Sequence, residues 1–141
     1  MQREHWPLLV IAAAGDAGLE PIHLQKSLFL IGRKAEQLGE SAPYQFHPYD
    51  YGPFAVEVYR DAERLVDEGS LSITLDRQVR RYRITREGQQ RADQLREGLR
   101  DDLAAYLDEV VRWAAPLGFR QIVQAIYRKF PEYRANSIFR G

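Results

Sequence analysis

Apolar and polar residues alternate in two short segments near the middle of the chain, at 71–75 and 81–84. Alternation with a period of two predicts β-strands that are buried on one face only. The residues between the two segments are mainly basic and polar, and we expect the strands to form a hairpin. The positions expected to face the core are Leu71, Ile73, Leu75, Tyr82 and Ile84.

Helical periodicity accounts for most of the remaining chain, because apolar residues recur there every three or four positions. Pro21 suits the first turn of a helix, where its missing amide hydrogen costs nothing. We number five predicted helices one to five, and their approximate ranges are 6–16, 21–38, 53–69, 86–113 and 119–130.

The segment 40–52 is rich in proline and aromatic residues and is predicted to be extended. Gly52 can adopt the positive φ of a turn, and Pro53 suits the first position of predicted helix three. Gly69 suits the end of that helix, and Thr85 is a plausible N-cap for predicted helix four.

This order of elements predicts an α+β, mostly helical fold that resembles a winged helix. The hairpin would be a two-stranded β-wing, and the last two helices would form a C-terminal two-helix extension. We expect a single domain over residues 1–141, with the winged-helix core at 1–85 and the helical extension at 86–141.

Predicted helix four carries an apolar stripe that is longer than a small three-helix core needs. We therefore expect a homodimer that buries Leu99, Leu103 and Tyr106 of this stripe. The alternative is that predicted helix five, which is also amphipathic, covers the stripe within one chain.

Composition excludes several classes of protein. The 20 basic and 20 acidic residues cancel, so the chain as a whole has no charge that would attract nucleic acid or an anionic membrane. The absence of cysteine rules out disulfides and is compatible with a cytoplasmic location. The apolar run Leu8–Ala14 is expected to belong to a first core helix and not to a signal peptide, and it is too short to span a membrane.

Basic charge is concentrated locally on the hairpin, which carries Arg77, Arg80, Arg81 and Arg83 against Asp76 alone. Guanidinium groups on a protruding loop suit contact with phosphates, because arginine stays ionised and binds oxygen pairs. The alternative is a charged sheet edge that prevents pairing with other molecules. Other basic residues that would have to line the same surface are Lys26, Arg33, Lys34, Arg120, Arg128, Lys129, Arg134 and Arg140.

Predicted helix three occupies the position of a recognition helix but is mainly acidic. Acidic residues are unfavourable in a DNA groove, because neutralisation of phosphates supplies most nonspecific affinity. Arg60 and Arg64 could still contact guanine. The helix is therefore either a solvated face or a surface for a basic protein partner, with Glu57, Asp61 and Glu63 as the candidate contacts.

The extended segment contains several aromatic residues, including Tyr49 and Tyr51. They could stack on unpaired bases or contact a protein partner. Packing of the segment against the helices is the more ordinary role for such rings.

The pattern contains no constellation typical of catalysis. The three histidines, His5, His23 and His47, lie on different predicted elements without the spacing of metal ligands, and the serines lack the context of a nucleophile. We expect a protein that is not an enzyme, without a cofactor or a metal site.

A more specific resemblance rests on short motifs. The segment RRYRITREG resembles the second wing strand and following turn of the winged helix-turn-helix superfamily. HLQKSLFLIG followed by YQFHPYDYGPF is similar to the YwgA-like and Panacea (SocA-type antitoxin) group of small winged-helix proteins, and IYRKFPEYRANS is similar to the tail of YwgA-like proteins. The matching positions of the paired motif are Leu24, Gln25, Lys26, Tyr51, Gly52 and Pro53.

The resemblance implies two kinds of function. Winged-helix proteins are mostly DNA-binding regulators, whereas the Panacea group is linked to toxin neutralisation and to presenting other proteins for degradation. We expect a non-enzymatic regulatory protein, of the transcription-regulator type, that binds double-stranded DNA through its wing. The alternative is a protein-interaction module of the antitoxin or proteolytic-adaptor kind that binds a partner such as a toxin through acidic helix three.

Overall fold

The computed structural model describes residues 1–134 together with Ser137 and Ile138. Within these residues the fold is α+β and mostly helical, with two small antiparallel sheets, in a layout that fits a winged helix. The α-helices are α1 His5–Ala13, α2 Pro21–Gln37, α3 Val56–Asp67, α4 Arg86–Glu97, α5 Asp101–Ala114 and α6 Phe119–Lys129. The strands are β1 His47–Tyr49, β2 Gly52–Phe54, β3 Leu71–Asp76 and β4 Val79–Ile84.

The wing, β3 and β4, is joined to the segment between α1 and α2. The amide of Leu19 donates to the carbonyl oxygen of Tyr82 at 3.0 Å, and the amide of Tyr82 donates back at 2.8 Å. Glycine is required beside this contact, because Gly18 has a φ of 68° and a Cβ there would lie 2.3 Å from the Tyr82 oxygen. The wing therefore has a fixed position relative to α1 and α2.

The start of predicted helix three differs from the prediction. Gly52 has positive φ as expected, at 105°, but residues 52–54 form β2, which pairs with β1. The helix begins only at Val56. The side chain of Gln25 explains the delay, because it accepts from the amide of Ala55 at 3.0 Å and donates to the Ala55 carbonyl at 2.9 Å. Ala55 is thereby held in an extended conformation.

Predicted helix four is two helices, α4 and α5, so the prediction of one continuous helix is wrong. The break falls at Gly98, a poor helix former, and at Arg100, whose backbone is extended. The Arg100 guanidinium pairs with Asp102 in the first turn of α5 at 2.7 Å. The change of direction lets α4 pack on α1 and α5 pack on α2.

The break also removes the reason for expecting a dimer at this stripe. Leu103 is only 1% exposed and belongs to the same core cluster as the buried residues of α1, α2 and α3. Leu99 and Tyr106 are half-buried and pack against that core. The prediction that Leu103 lies in a subunit interface is therefore wrong, because its own chain covers it. A homodimer formed through another surface stays a prediction.

Candidate functional site

The wing ends in a tight turn whose central residues, Arg77 and Gln78, have φ of 52° and 68°. Positive φ at both positions is the geometry of a type I′ turn, which matches the twist of a hairpin. Arg77 and Arg80 are exposed near this turn. Neither has a carboxylate within 4 Å among the described residues.

The other two wing arginines contact their own chain. Arg83 donates from Nε to the Thr74 hydroxyl at 2.9 Å and from Nη1 to the carbonyl oxygen of Asp16. Arg81 lies 3.6 Å from the carboxylate of Glu20. The expectation that all four arginines project freely from the wing therefore fails for Arg81 and Arg83. They fasten the wing to the segment before α2.

The wing also presents apolar side chains that the alternation placed in the core. Leu71 is buried as predicted, but Ile73 is exposed and Leu75 is 72% exposed. Val79, across the hairpin from Asp76, is exposed as well. The prediction that Ile73 and Leu75 face the core is wrong because β3 extends beyond the helices that it packs against. The exposed wing tip, defined by Ile73, Leu75, Arg77, Val79 and Arg80, is thus both apolar and basic.

Asp61 is the largest departure from the predicted acidic face. It is 1% exposed, so it cannot contact a partner as predicted. Arg3 donates to its carboxylate from Nε at 2.8 Å and from Nη2 at 3.0 Å, and the Tyr44 hydroxyl donates at 2.6 Å. Burial, and then the hydrogen bond to Asp61, raise the pKa of Tyr44 well above its usual value. Asp61 therefore joins α3 to the chain before α1 and to the segment after α2.

The rest of α3 retains a mixed, charged surface. Arg60 and Glu63 are exposed, and Glu57 is half-buried. Arg64 is exposed but pairs with Glu4 at 3.2 Å. Of the five residues predicted to bind from this helix, Asp61 alone is buried, and the exposed charges remain of both signs.

The two halves of the paired motif lie in contact. Gln25 binds both backbone groups of Ala55, and the Lys26 ammonium nitrogen Nζ donates to the carbonyl oxygen of Pro53 at 3.0 Å. A Cβ at Gly52 would lie 3.6 Å from the same nitrogen. The Leu-Gln-Lys segment of α2 therefore holds the Tyr-Gly-Pro turn in place, which is a structural reason for the two motifs to occur together.

The far end of the β1–β2 hairpin is held from the C-terminal side of the chain. The Ser137 hydroxyl donates to the carbonyl oxygen of Asp50 at 2.8 Å, and the amide of Ile138 donates to the same oxygen at 3.0 Å. The hydroxyl of Tyr127 in α6 is hydrogen-bonded to Ser137. The hairpin is thus anchored at both of its ends.

Between this hairpin, α2 and α6 lies a cavity of about 320 Å³, which we call the aromatic pocket. Tyr49 and Tyr51, predicted as partner contacts, are both exposed at it. Tyr49 stacks on Phe54 with ring centroids 5.2 Å apart, and Tyr51 meets Phe119 edge to face at 4.9 Å. The other lining residues are Glu20, Pro21, Ile22, Gln25, Lys26, Asp50, Gly52 and Tyr59.

Lys26 lines the pocket but is only 2% exposed, so it is not part of a basic surface as the sequence suggested. Burial lowers the pKa of its amine to about 7. Burial also raises the pKa of Tyr59 to about 12. Both shifts follow from burial, because removal from water disfavours the charged form of each group.

Within the described residues, no group of three or more histidine or acidic side chains is arranged to hold a metal ion. In the same part of the chain, none of the helices combines the length and the apolar character needed to cross a membrane. Arg140, one of the basic residues considered above, lies outside the described residues.

No protein-family model, no curated protein and no solved structure matches this chain. The likeness to a winged helix therefore rests on the element order and on the sheet contacts described above. Sequence reasoning missed the exposed wing tip and the aromatic pocket. The sequence does contain one signal for the exposed wing tip. Val79 is an apolar residue between polar residues near the turn, and it lies outside the two alternating segments.

Proposed function

We propose that the protein is a winged-helix module that binds another protein through its wing tip and the adjacent surface of α3. The observation that carries this proposal is the exposure of Ile73 and Leu75 on one face of the wing tip, with Val79 exposed on the other face. Apolar side chains at a solvent-facing position cost solubility without adding stability, whereas they gain free energy when a partner covers them.

The surroundings of α3 support the same proposal. In helix-turn-helix proteins the N-terminal residues of the recognition helix contact base edges, and the connection before that helix is short. Here residues 38–55, with the β1–β2 hairpin, separate α2 from α3. Phe54 of that hairpin packs on Tyr59 in the first turns of α3, with ring centroids 5.5 Å apart. The hairpin therefore flanks the end of α3 that would have to enter the groove.

DNA binding through the wing is the second candidate, and one observation favours it. Arg77 and Arg80 are exposed beside the turn without a carboxylate partner in the described part of the chain. Two arginines on a protruding hairpin suit phosphate contact. The exposed apolar residues beside them are not required for that role, although side chains of this kind can wedge between bases in the minor groove.

Two double variants separate the candidates. Leu75→Ser with Val79→Ser removes the apolar tip, and Arg77→Ala with Arg80→Ala removes the charge. All four side chains are exposed, so both variants should retain the fold. A photo-crosslinking amino acid at position 75, used in cells that express the protein naturally, identifies what touches the wing tip. The same amino acid at Glu97, an exposed residue at the end of α4, serves as the control position.

We expect position 75 to crosslink to one defined protein, position 97 to give no such product, and the serine variant to lose binding to that protein. Mobility-shift assays with duplex DNA at low salt test the second candidate. The proposal is overturned if the wild type and the serine variant bind duplex DNA while the alanine variant does not. A cytoplasmic location belongs to the same proposal and is checked by fractionation of those cells.

A further inference from the structure

The aromatic pocket combines features that are found at cation-binding sites. Three of its rings, Tyr49, Tyr51 and Phe119, are partly exposed around one concavity. The faces of aromatic rings attract cations through their negative quadrupole, and grouped rings recognise ammonium and guanidinium groups. A volume of about 320 Å³ lies at the low end for small-ligand pockets and suits a single side chain.

Two carboxylates of the matching sign line the pocket, beside the buried amine of Lys26. Glu20, at the N-cap of α2, and Asp50, in the turn of the hairpin, both line it. Arg81 of the wing lies 3.6 Å from Glu20, so a guanidinium group already sits beside one wall. Asp50 has no ion-pair partner within 4 Å among the residues that the structure describes. An incoming cation would pair with Asp50 and contact the aromatic rings.

We propose that the aromatic pocket receives an arginine or lysine side chain of the protein partner. The inference rests on the proposed function, because the Arg81–Glu20 contact makes the pocket continuous with the wing. The wing tip would bury apolar surface of the partner, and the pocket would fix its register through one basic side chain. Specific recognition requires such a directional contact in addition to apolar burial.

Lys26 at the floor of the pocket is compatible with a cationic occupant. Its amine is held by the carbonyl oxygen of Pro53, and burial lowers its pKa to about 7. The occupant and the protonated amine would repel each other. The affinity for a cation should therefore rise from about pH 6 to about pH 8, whereas the affinity for an anion should fall.

Other ionisable groups also line the pocket or lie near Lys26. They are the carboxyls of Glu20 and Asp50, the phenols of Tyr49, Tyr51, Tyr59 and Tyr127, and the guanidinium of Arg81 beside Glu20. Lys26→Met keeps these groups and also His23, three residues earlier on α2, so the pH dependence should be lost in this variant if Lys26 causes it.

Small probes test the pocket without the partner. N-acetyl-arginine methylamide is titrated into the full chain to millimolar concentration, and the backbone amides of residues 49–54 are followed by NMR. The citrulline analogue is the matched control, because it has nearly the same shape without the charge. Benzoate is the anionic control. We expect saturable shifts with the arginine compound and none with the other two.

Variants locate the binding. Tyr51→Leu should weaken binding of the arginine compound roughly three- to tenfold, which is the range of a cation–π contact. Asp50→Asn should weaken it about two- to fivefold, since it removes an exposed ion pair and keeps the backbone oxygen that anchors the hairpin. Trp113→Leu, which changes a similarly exposed ring in the groove between α5 and α6, should leave the affinity unchanged.

The proposal is overturned if the citrulline compound binds as well as the arginine compound, or if Tyr51→Leu and Asp50→Asn both leave the affinity unchanged. Binding of benzoate that is lost in Lys26→Met would also overturn it, because the pocket would then be an anion site. These outcomes are independent of the crosslinking at position 75. Failure of the pocket proposal can therefore be distinguished from failure of the proposed function.

Discussion

The buried carboxylate of Asp61 allows the sharpest test of this structure. Asp61→Ala removes the acceptor for the Tyr44 hydroxyl and for the Arg3 guanidinium. If Asp61 instead lay on an exposed acidic face, as the sequence predicted, the same substitution would change stability very little. The sequence and the structure therefore make opposite predictions for a single change.

The expected loss follows from the burial of each partner. The Tyr44 hydroxyl is buried and loses a 2.6 Å bond to a charged acceptor, which contributes roughly 1.5–3 kcal/mol. Tyr44 keeps a weaker bond to the Arg3 carbonyl oxygen at 3.3 Å. The Arg3 side chain is 46% exposed, so water can replace its ion pair, which adds about 0–1 kcal/mol. We expect Asp61→Ala to lower the free energy of unfolding by about 2–3 kcal/mol.

Urea unfolding followed by circular dichroism measures this loss. Glu63→Ala on the same helix is the control, because Glu63 is exposed and should change stability by less than about 0.5 kcal/mol. A cycle with Tyr44→Phe isolates the shared bond, and we expect the two substitutions to be strongly non-additive. Equal small effects of Asp61→Ala and Glu63→Ala, or additivity in the cycle, would show that Asp61 does not lie in the core.

Three further predictions concern other parts of the fold. Gly18→Ala should destabilise the protein by about 1–3 kcal/mol more than Gly15→Ala in urea unfolding. Both glycines have a φ of 68°, but only at Gly18 would a Cβ meet the Tyr82 carbonyl oxygen, so equal losses would refute that contact. Leu103→Glu should unfold the protein, so the helical circular dichroism should be lost at every protein concentration. If the variant instead formed a folded monomer, Leu103 would lie in a subunit interface and not in the core. The free energy of unfolding of wild type, relative to that of Lys26→Met, should rise as pH rises from about 7 towards 10.5, because in this window the unfolded state keeps a proton that the folded state has released. A difference that does not depend on pH would refute the burial of Lys26.

Elements set by local rules were predictable. Pro21 begins α2, Gly69 with a φ of 85° follows α3, and the Thr85 hydroxyl accepts from the amide of Gly88 at the start of α4. Each of these residues acts on its own turn through φ or through one hydrogen bond. Prediction succeeded there because the local contact is enough to set each turn, although the Thr85 hydroxyl also donates to the distant carbonyl oxygen of Gly69.

The predictions failed where a residue distant in the sequence determines the local structure. Predicted helix three begins late because Gln25, from α2, occupies both backbone groups of Ala55. Asp61 has the spacing of an exposed helix residue, and only the arrival of Arg3 and Tyr44 from other elements makes its burial tolerable. Periodicity describes one element at a time and carries no information about such partners.

The aromatic pocket was unpredictable for the same reason, since its walls come from α2, the hairpin, α3 and α6. One signal in the composition does point to its floor. The chain contains seventeen arginines and only three lysines, yet position 26 is a lysine. Arginine remains ionised in proteins, so at a buried position without a carboxylate it would keep an uncompensated charge. A lysine can release its proton there and still donate to the Pro53 carbonyl oxygen, which explains why this position departs from the preference of the rest of the chain.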